Sequence, residues 1–265
     1  MRDVVAAVRR CRWRRDLAVL AAVAALQVAV FALPADAKWQ LALPFTDPEL
    51  STAFTSHFVH FRVGHLAPNL ALYLAVAVAA YALSVAAGRE TEFYAAAATF
   101  LLAFPVALSA LNVVLGAPHV GYGFSGLAMA FVGLLAVRVA DRVGAPPVSV
   151  YAAGAGAILL YGLPPTPVAL TAGVGMLAVA LLTGGRALLA GWDLAALLAA
   201  ALLVASLALA FPGDPTAPGR VTNVYLHALG FGLGALVPYA AGVVADAAAG
   251  LDVSVAHLRR SDRPA

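Results

Sequence analysis

The chain has 265 residues, 63% hydrophobic and only 11% charged, with a mean hydropathy of +0.92 and a formal net charge of +3. An average soluble domain carries roughly 25% charged residues, so a chain this poor in charge cannot stay dispersed in water, and the bilayer must solvate most of it. That excludes a soluble enzyme, a nucleic-acid binder and a disordered protein, and the single Cys11 leaves no internal disulfide and no paired metal-ligand motif.

A helix that crosses a bilayer needs about 20 mostly apolar residues. Eight stretches come near that length: 17–34, 66–87, 93–115, 123–140, 147–163, 167–184, 193–211 and 222–245. A basic leader, 1–16, precedes the first, and a polar tail, 246–265, follows the last. The leader, the first stretch and Ala35, Asp36 and Ala37 together resemble a cleavable signal peptide. The stretch exceeds the usual h-region of about 7–15 residues, so we read it as a retained first helix. Turn residues punctuate the rest: Gly88 to Glu92, Ala145 to Pro147, Pro164 to Pro167 and Pro212 to Pro215. The expected fold class is therefore all-α, a polytopic membrane helix bundle spanning 17–245 with about eight transmembrane helices.

Lys and Arg set the orientation. With the N-terminus in the cytoplasm, the inner side holds 13 of them: Arg2, Arg9, Arg10, Arg12, Arg14, Arg15, Arg89, Arg138, Arg142, Arg186, Arg259, Arg260 and Arg263. The outer side holds 3: Lys38, Arg62 and Arg220. An even number of spans puts both basic termini in the cytoplasm, so count and charge agree.

Polar groups inside such helices are costly unless they are partnered or functional. Three clusters stand out. His60, His65 and Asn69 enter the second span; Gly123, Phe124, Ser125 and Gly126 enter the fourth; His227, Gly230 and Gly234 enter the last. Spans two, four and eight all run from outside to inside. At 1.5 Å rise per residue, the three clusters then lie within roughly 10 Å of the outer face.

Their chemistry is complementary. A serine hydroxyl needs a base to act as a nucleophile, and Ser125 and His227 supply that pair. A tetrahedral oxyanion needs preorganised donors, and His65 and Asn69, spaced i, i+4, share one helix face. Gly123 and Gly126 flank the serine and let backbone come close to a substrate. Gly230 and Gly234 form a small-xxx-small face for tight helix packing; if span four is the neighbour, Ser125 and His227 come within hydrogen-bond reach. Neither Asp nor Glu lies near them in sequence, so the arrangement would be a dyad. Asn112 and Asn223 read as helix-end hydrogen bonders, and His119 is a weaker candidate base.

These residues give the chain its resemblance to the rhomboid family of intramembrane serine proteases. The motifs are His-x-x-x-Asn (His65, Asn69), Gly-x-Ser-Gly (Gly123 to Gly126) and His-x-x-Gly-x-x-x-Gly (His227, Gly230, Gly234), in that order. The resemblance covers roughly 17–140 and 222–245. It implies a rhomboid-like core, with Ser125 as nucleophile and His227 as general base and acid. It further implies an oxyanion hole from His65, Asn69 and the Ser125 N–H, and a structural role for His60. The implied substrates are transmembrane segments of other membrane proteins, cut near their outer end, with neither cofactor nor metal. A hydrophilic cavity open to the outside should bring water to Ser125. The chain departs from the family in three places, one being the first loop, where Trp39 and Gln40 are the nearest match to the family's Trp-Arg pair. Met129 stands where many members have an aromatic residue stacking on the catalytic histidine. An extra helix pair is expected within 141–221, and an even insertion keeps His227 on the serine's side.

Rival readings are a catalytically inactive rhomboid-like helix binder and a small-solute transporter. The first would typically lack the Ser or the His. The second would more often show repeats and midplane polar sites. Absence of His-Glu-x-x-His argues against a zinc protease, and no Asp in a span core argues against an aspartyl mechanism.

Overall fold

The computed structural model describes residues 5–6, 13–114, 120–162, 166–210 and 223–241. The expectations placed on most of the basic leader, on His119 and Arg220 and on the tail lie outside the described residues. Within them the chain is almost entirely helical. Helix α1 (Trp13–Phe31) leads to α2 (Ala35–Leu41), strand β1 (Leu43–Pro44) and α3 (Leu50–Thr55), which tightens into a 3₁₀ turn at Ser56–Phe58. Then follow α4 (Val63–Ala86), α5 (Glu90–Val114), strand β2 (Val120–Gly121) and α6 (Ser125–Val143). The last four helices are α7 (Pro147–Ala157), α8 (Pro167–Ala190), α9 (Leu194–Ala210) and α10 (Val224–Ala241).

Each apolar stretch of the sequence is occupied by a helix. Four are long and apolar enough to cross a membrane: α4, α5, Pro167–Ala187 of α8, and α10. Among the others, α1 opens on Arg14, Arg15 and Asp16, and α6 closes on Arg138, Asp141 and Arg142. Helices α7 and α9 are short. Three helix starts are capped by side chains that accept an orphan N–H group of the first turn. Thr166 accepts from Ala169 at 3.1 Å, Asp193 from Ala196 at 2.8 Å and Asn223 from Leu226 at 2.9 Å. In α5 a π turn over Thr99–Ala103 precedes Pro105, which has no N–H to close onto Leu101.

Helix α6 is the axis of the bundle. Every residue from Gly126 to Ala140 is buried, as expected of a helix that is apolar all round. Helices α4, α7 and α9 pack around it. Helix α8 packs mainly on α7, leaves Val168, Val174, Leu181 and Leu182 exposed, and is thus attached to the bundle chiefly through α7.

The contact of α6 with α10 is closer still, backbone against backbone. A Cβ placed on Gly230 would lie 2.1 Å from the Gly126 carbonyl oxygen, and one on Gly234 would lie 2.2 Å from that of Ala130. Gly126 meets Gly230 and Ala130 meets Gly234, so residue numbers rise together along the seam and the two helices run parallel. The small-xxx-small face of the last helix finds its partner in α6.

At the far end of α6 the charges behave differently from a simple topology signal. The Arg138 side chain is only 1% exposed. It donates to Glu92 at 2.9 Å and to Asp141 at 2.8 Å, and Arg89 bonds the same two carboxylates at 2.7 and 2.8 Å. The four side chains close a ring that joins the start of α5 to α6. Arg138 is thus an internal ion-pair residue as well as a positive charge near a helix end.

Candidate functional site

The three polar clusters meet at one end of α6. Strands β1 and β2 pair antiparallel, Leu43 opposite Gly121 and Pro44 opposite Val120, which lays the loop region after α1 against the segment leading to Ser125. Two residues on, the Gly123 N–H donates to the Ser56 carbonyl at 3.0 Å. Gly123 has φ +111°, a conformation that side chains rarely adopt, and a Cβ there would lie 2.6 Å from the His65 Cε1. Glycine is required twice over, by its backbone and by its neighbour. The next side chain, Phe124, is fully buried between the rings of Phe58 and Tyr73. It anchors the turn from which α6 starts.

His65 and Asn69 lie one turn apart on α4, with Pro68 between them. The Asn69 amide donates to His60 Nε2 at 3.0 Å, and the Phe124 N–H approaches the same nitrogen at 3.4 Å. Two donors on one nitrogen make it the lone-pair nitrogen, so His60 carries its proton on Nδ1. Burial, and then the neighbouring His65, push the pKa of His60 down to about 4, which keeps it a neutral acceptor. His60 therefore ties α4 to the Gly123–Gly126 turn, in keeping with a structural role. The His65 ring is half-buried and packs edge-on against His60 at 4.9 Å between centroids.

Ser125 is half-buried at the first position of α6, where first-turn N–H groups have no intrahelical carbonyl to bond. His227 is buried, 7% exposed, in the first turn of α10. Its Nδ1 lies 2.7 Å from the Ala210 carbonyl oxygen, the last residue of α9. A carbonyl only accepts, so Nδ1 carries the proton and Nε2 is the lone-pair nitrogen of the neutral ring. A Cβ on Gly126 would lie 3.0 Å from the Leu226 side chain, and Gly126 also meets Gly230. His227 falls between those two contacts and Ser125 immediately precedes Gly126, so both sit at the same level of the α6–α10 seam. Met129 is fully buried, its Cβ 3.2 Å from the Cβ position at Gly230, one turn along from His227.

Several residues at this end carry no signal that the sequence alone could raise. His57 is buried, and its Nε2–H donates to the Pro105 carbonyl at 2.9 Å and to the Ser109 hydroxyl at 3.1 Å. Ser109 in turn donates to the Ala53 carbonyl at 2.7 Å. Burial pushes the His57 pKa down to about 4, with the Pro105 carbonyl opposing. Asn112 and Asn223, read as helix-end hydrogen bonders, bond each other: Asn223 donates to Asn112 at 2.8 Å, which pins the start of α10 to α5. A cavity of about 20 Å³, with both polar and apolar lining, opens between His57, Ser109, Asn112, Gly123 and Leu226, room for about one water. It borders the neighbours of Ser125 and His227 without being lined by either side chain. Tyr122, an exposed aromatic residue between two glycines, stands over His65 at 5.9 Å. Among the described residues no three His, Cys, Asp or Glu side chains are grouped to hold a metal ion.

No protein-family model matches the chain, and neither a curated protein nor a solved structure matches it.

Proposed function

We propose that this chain is a rhomboid-type intramembrane serine protease, an eight-span membrane protein with both termini in the cytoplasm. Its substrates are transmembrane segments of other membrane proteins, cut near their outer end. The observation that carries the reading is the parallel α6–α10 seam, which holds Ser125 and His227 at one level while the Ala210 carbonyl fixes the tautomer of His227. In a triad an acid orients the histidine; here a backbone acceptor does so, which fits a dyad.

In this reading Ser125 attacks a substrate carbonyl while His227 Nε2 takes its proton. The oxyanion is held by His65, Asn69 and the N–H groups at the start of α6. His227 then protonates the leaving amine, and water hydrolyses the acyl-enzyme. A helical substrate hides its carbonyls in hydrogen bonds, so its end must unwind before attack. Met129 takes the place of an aromatic support beneath His227, and a thioether is soft enough to pack there. The test is reconstitution with a single-span reporter substrate. Wild type should cut, Ser125→Ala and His227→Ala should not, and a fluorophosphonate should label Ser125 alone. Equal cutting by wild type and Ser125→Ala would refute the reading.

A further inference from the structure

We propose that Tyr122 is a positioning residue that holds the His65 imidazole in place; the consequence for catalysis rests on the protease reading above. Among the described residues, the His65 ring makes no hydrogen bond, so its orientation is set by packing. Three surfaces confine it. The Gly123 Cα side leaves no room for even a methyl group, with Cε1 2.6 Å from the Cβ position. The His60 ring meets it edge-on at 4.9 Å and 67°. The Tyr122 ring meets a third side edge-on at 5.9 Å and 66°.

Tyr122 is itself well placed to serve as that wall. Its backbone is anchored on both sides, by the β1–β2 pairing at Gly121 and by the Gly123 N–H on the Ser56 carbonyl. Its ring leans on Phe61 at 4.9 Å, and Trp39 packs on Phe61 at 4.2 Å and on Tyr122 at 6.3 Å. Edge-to-face aromatic contacts at such distances are attractive and directional. The residue is nevertheless 41% exposed, more than one kept solely for core packing would be. A run of ring contacts thus leads from Trp39 through Phe61 and Tyr122 to the one site imidazole that, among the described residues, no hydrogen bond orients.

The experiment compares wild type, Tyr122→Phe, Tyr122→Ala, His65→Ala and the double variant Tyr122→Ala/His65→Ala on the reporter substrate. Loss of one oxyanion donor lowers kcat by about 10²–10³-fold. A loosened donor should cost less, so Tyr122→Ala is expected to lower kcat about tenfold with KM within about twofold. Tyr122→Phe keeps the ring and should restore wild-type kcat. The double variant should be no slower than His65→Ala. A change confined to KM, an unrestored Tyr122→Phe, or losses that multiply in the double variant would overturn the proposal.

A second readout needs no activity and separates this proposal from the protease reading. The chain has six histidines, so NMR of ring-labelled histidine resolves His65, assigned by its loss in His65→Asn. In Tyr122→Ala the His65 signal should shift and broaden while that of His57 stays put. An unmoved His65 signal would overturn the clamp whether or not the protein cuts. A moved signal in a protein that does not cut would sustain the clamp and refute the protease reading.

Discussion

Consider Gly230→Ala, a change of one methyl group on α10. The new Cβ would lie 2.1 Å from the Gly126 carbonyl oxygen. A carbon and a carbonyl oxygen come no closer than about 3.3 Å even in favourable contacts, so the pair must separate by more than about 1 Å. The obstacle is backbone on both sides, so no rotamer change relieves it. Overpacking of this kind costs about 1–3 kcal/mol. The displaced level of the seam is the one that carries Ser125 and His227, and a 1 Å misplacement can cost about 10²-fold in rate. The control is Gly175→Ala on α8, where a Cβ meets nothing within 4 Å. Replacing an unobstructed helical glycine should stabilise by about 0.5–1 kcal/mol. Thermal unfolding in detergent micelles, followed by circular dichroism, reads both stabilities, and the reporter substrate reads the rate. If Gly230→Ala melts with or above Gly175→Ala, the backbone seam does not exist as described. If it melts lower but cuts at the wild-type rate, the seam does not position the dyad.

Three further outcomes follow from the packing. Arg138→Met should destabilise by about 1.5–3 kcal/mol, because it removes one of the two guanidinium groups that Glu92 and Asp141 share and leaves both carboxylates to Arg89; adding Glu92→Gln should recover part of the loss in the same melting assay. Gln27 is fully buried on α1, and neither its amide nitrogen nor its oxygen has a partner among the described residues; Gln27→Leu should therefore raise stability by about 1–3 kcal/mol, and a lowered melting point would mean that the amide is bonded. The Arg142 guanidinium, followed by the Ala196 N–H, lowers the Asp193 carboxyl to about 2. A carboxyl depressed in the folded state stabilises fully above its unfolded pKa of about 4, and that share fades as pH falls toward 2. Asp193→Asn should flatten the melting profile between those pH values and leave it unchanged in shape above pH 5; a profile as steep as wild type would show that the pair does not contribute.

What the sequence made legible, and what it did not, follows from where polarity is costly. In hydrocarbon a polar side chain or a bare backbone must be accounted for. The apolar stretches therefore announce their helices, and His65, Asn69, Ser125 and His227 stand out against them. Gly230 and Gly234 were readable for the same reason, since the only use of an exposed glycine face in an apolar helix is close approach. Outside the helices that contrast is gone. His57, in a turn, looks like any solvated loop residue, yet it is buried and bonds α5 at Pro105 and Ser109 and, through Ser109, Ala53 of α3. Tyr122 looks like a loop aromatic, and only the fold sets it on His65. Arg138, near a helix end, reads as a topology charge because nothing in one helix reveals the carboxylates of another.

The least legible part is the state of two of the buried histidines, His60 and His227, and it bears most on chemistry. His60 and His227 carry their proton on the same nitrogen, Nδ1, for opposite reasons. In His60 two donors, the Asn69 amide and the Phe124 N–H, claim the Nε2 lone pair. In His227 an acceptor, the Ala210 carbonyl, claims the Nδ1 proton. The first arrangement spends the ring's basic site on holding the turn together. The second holds the ring through Nδ1 and leaves Nε2 as the basic nitrogen, the one that the proposed mechanism uses. A histidine motif cannot distinguish these two cases, because the deciding groups are main-chain atoms on other elements. The division between a structural histidine and a candidate base is written in the backbone around them.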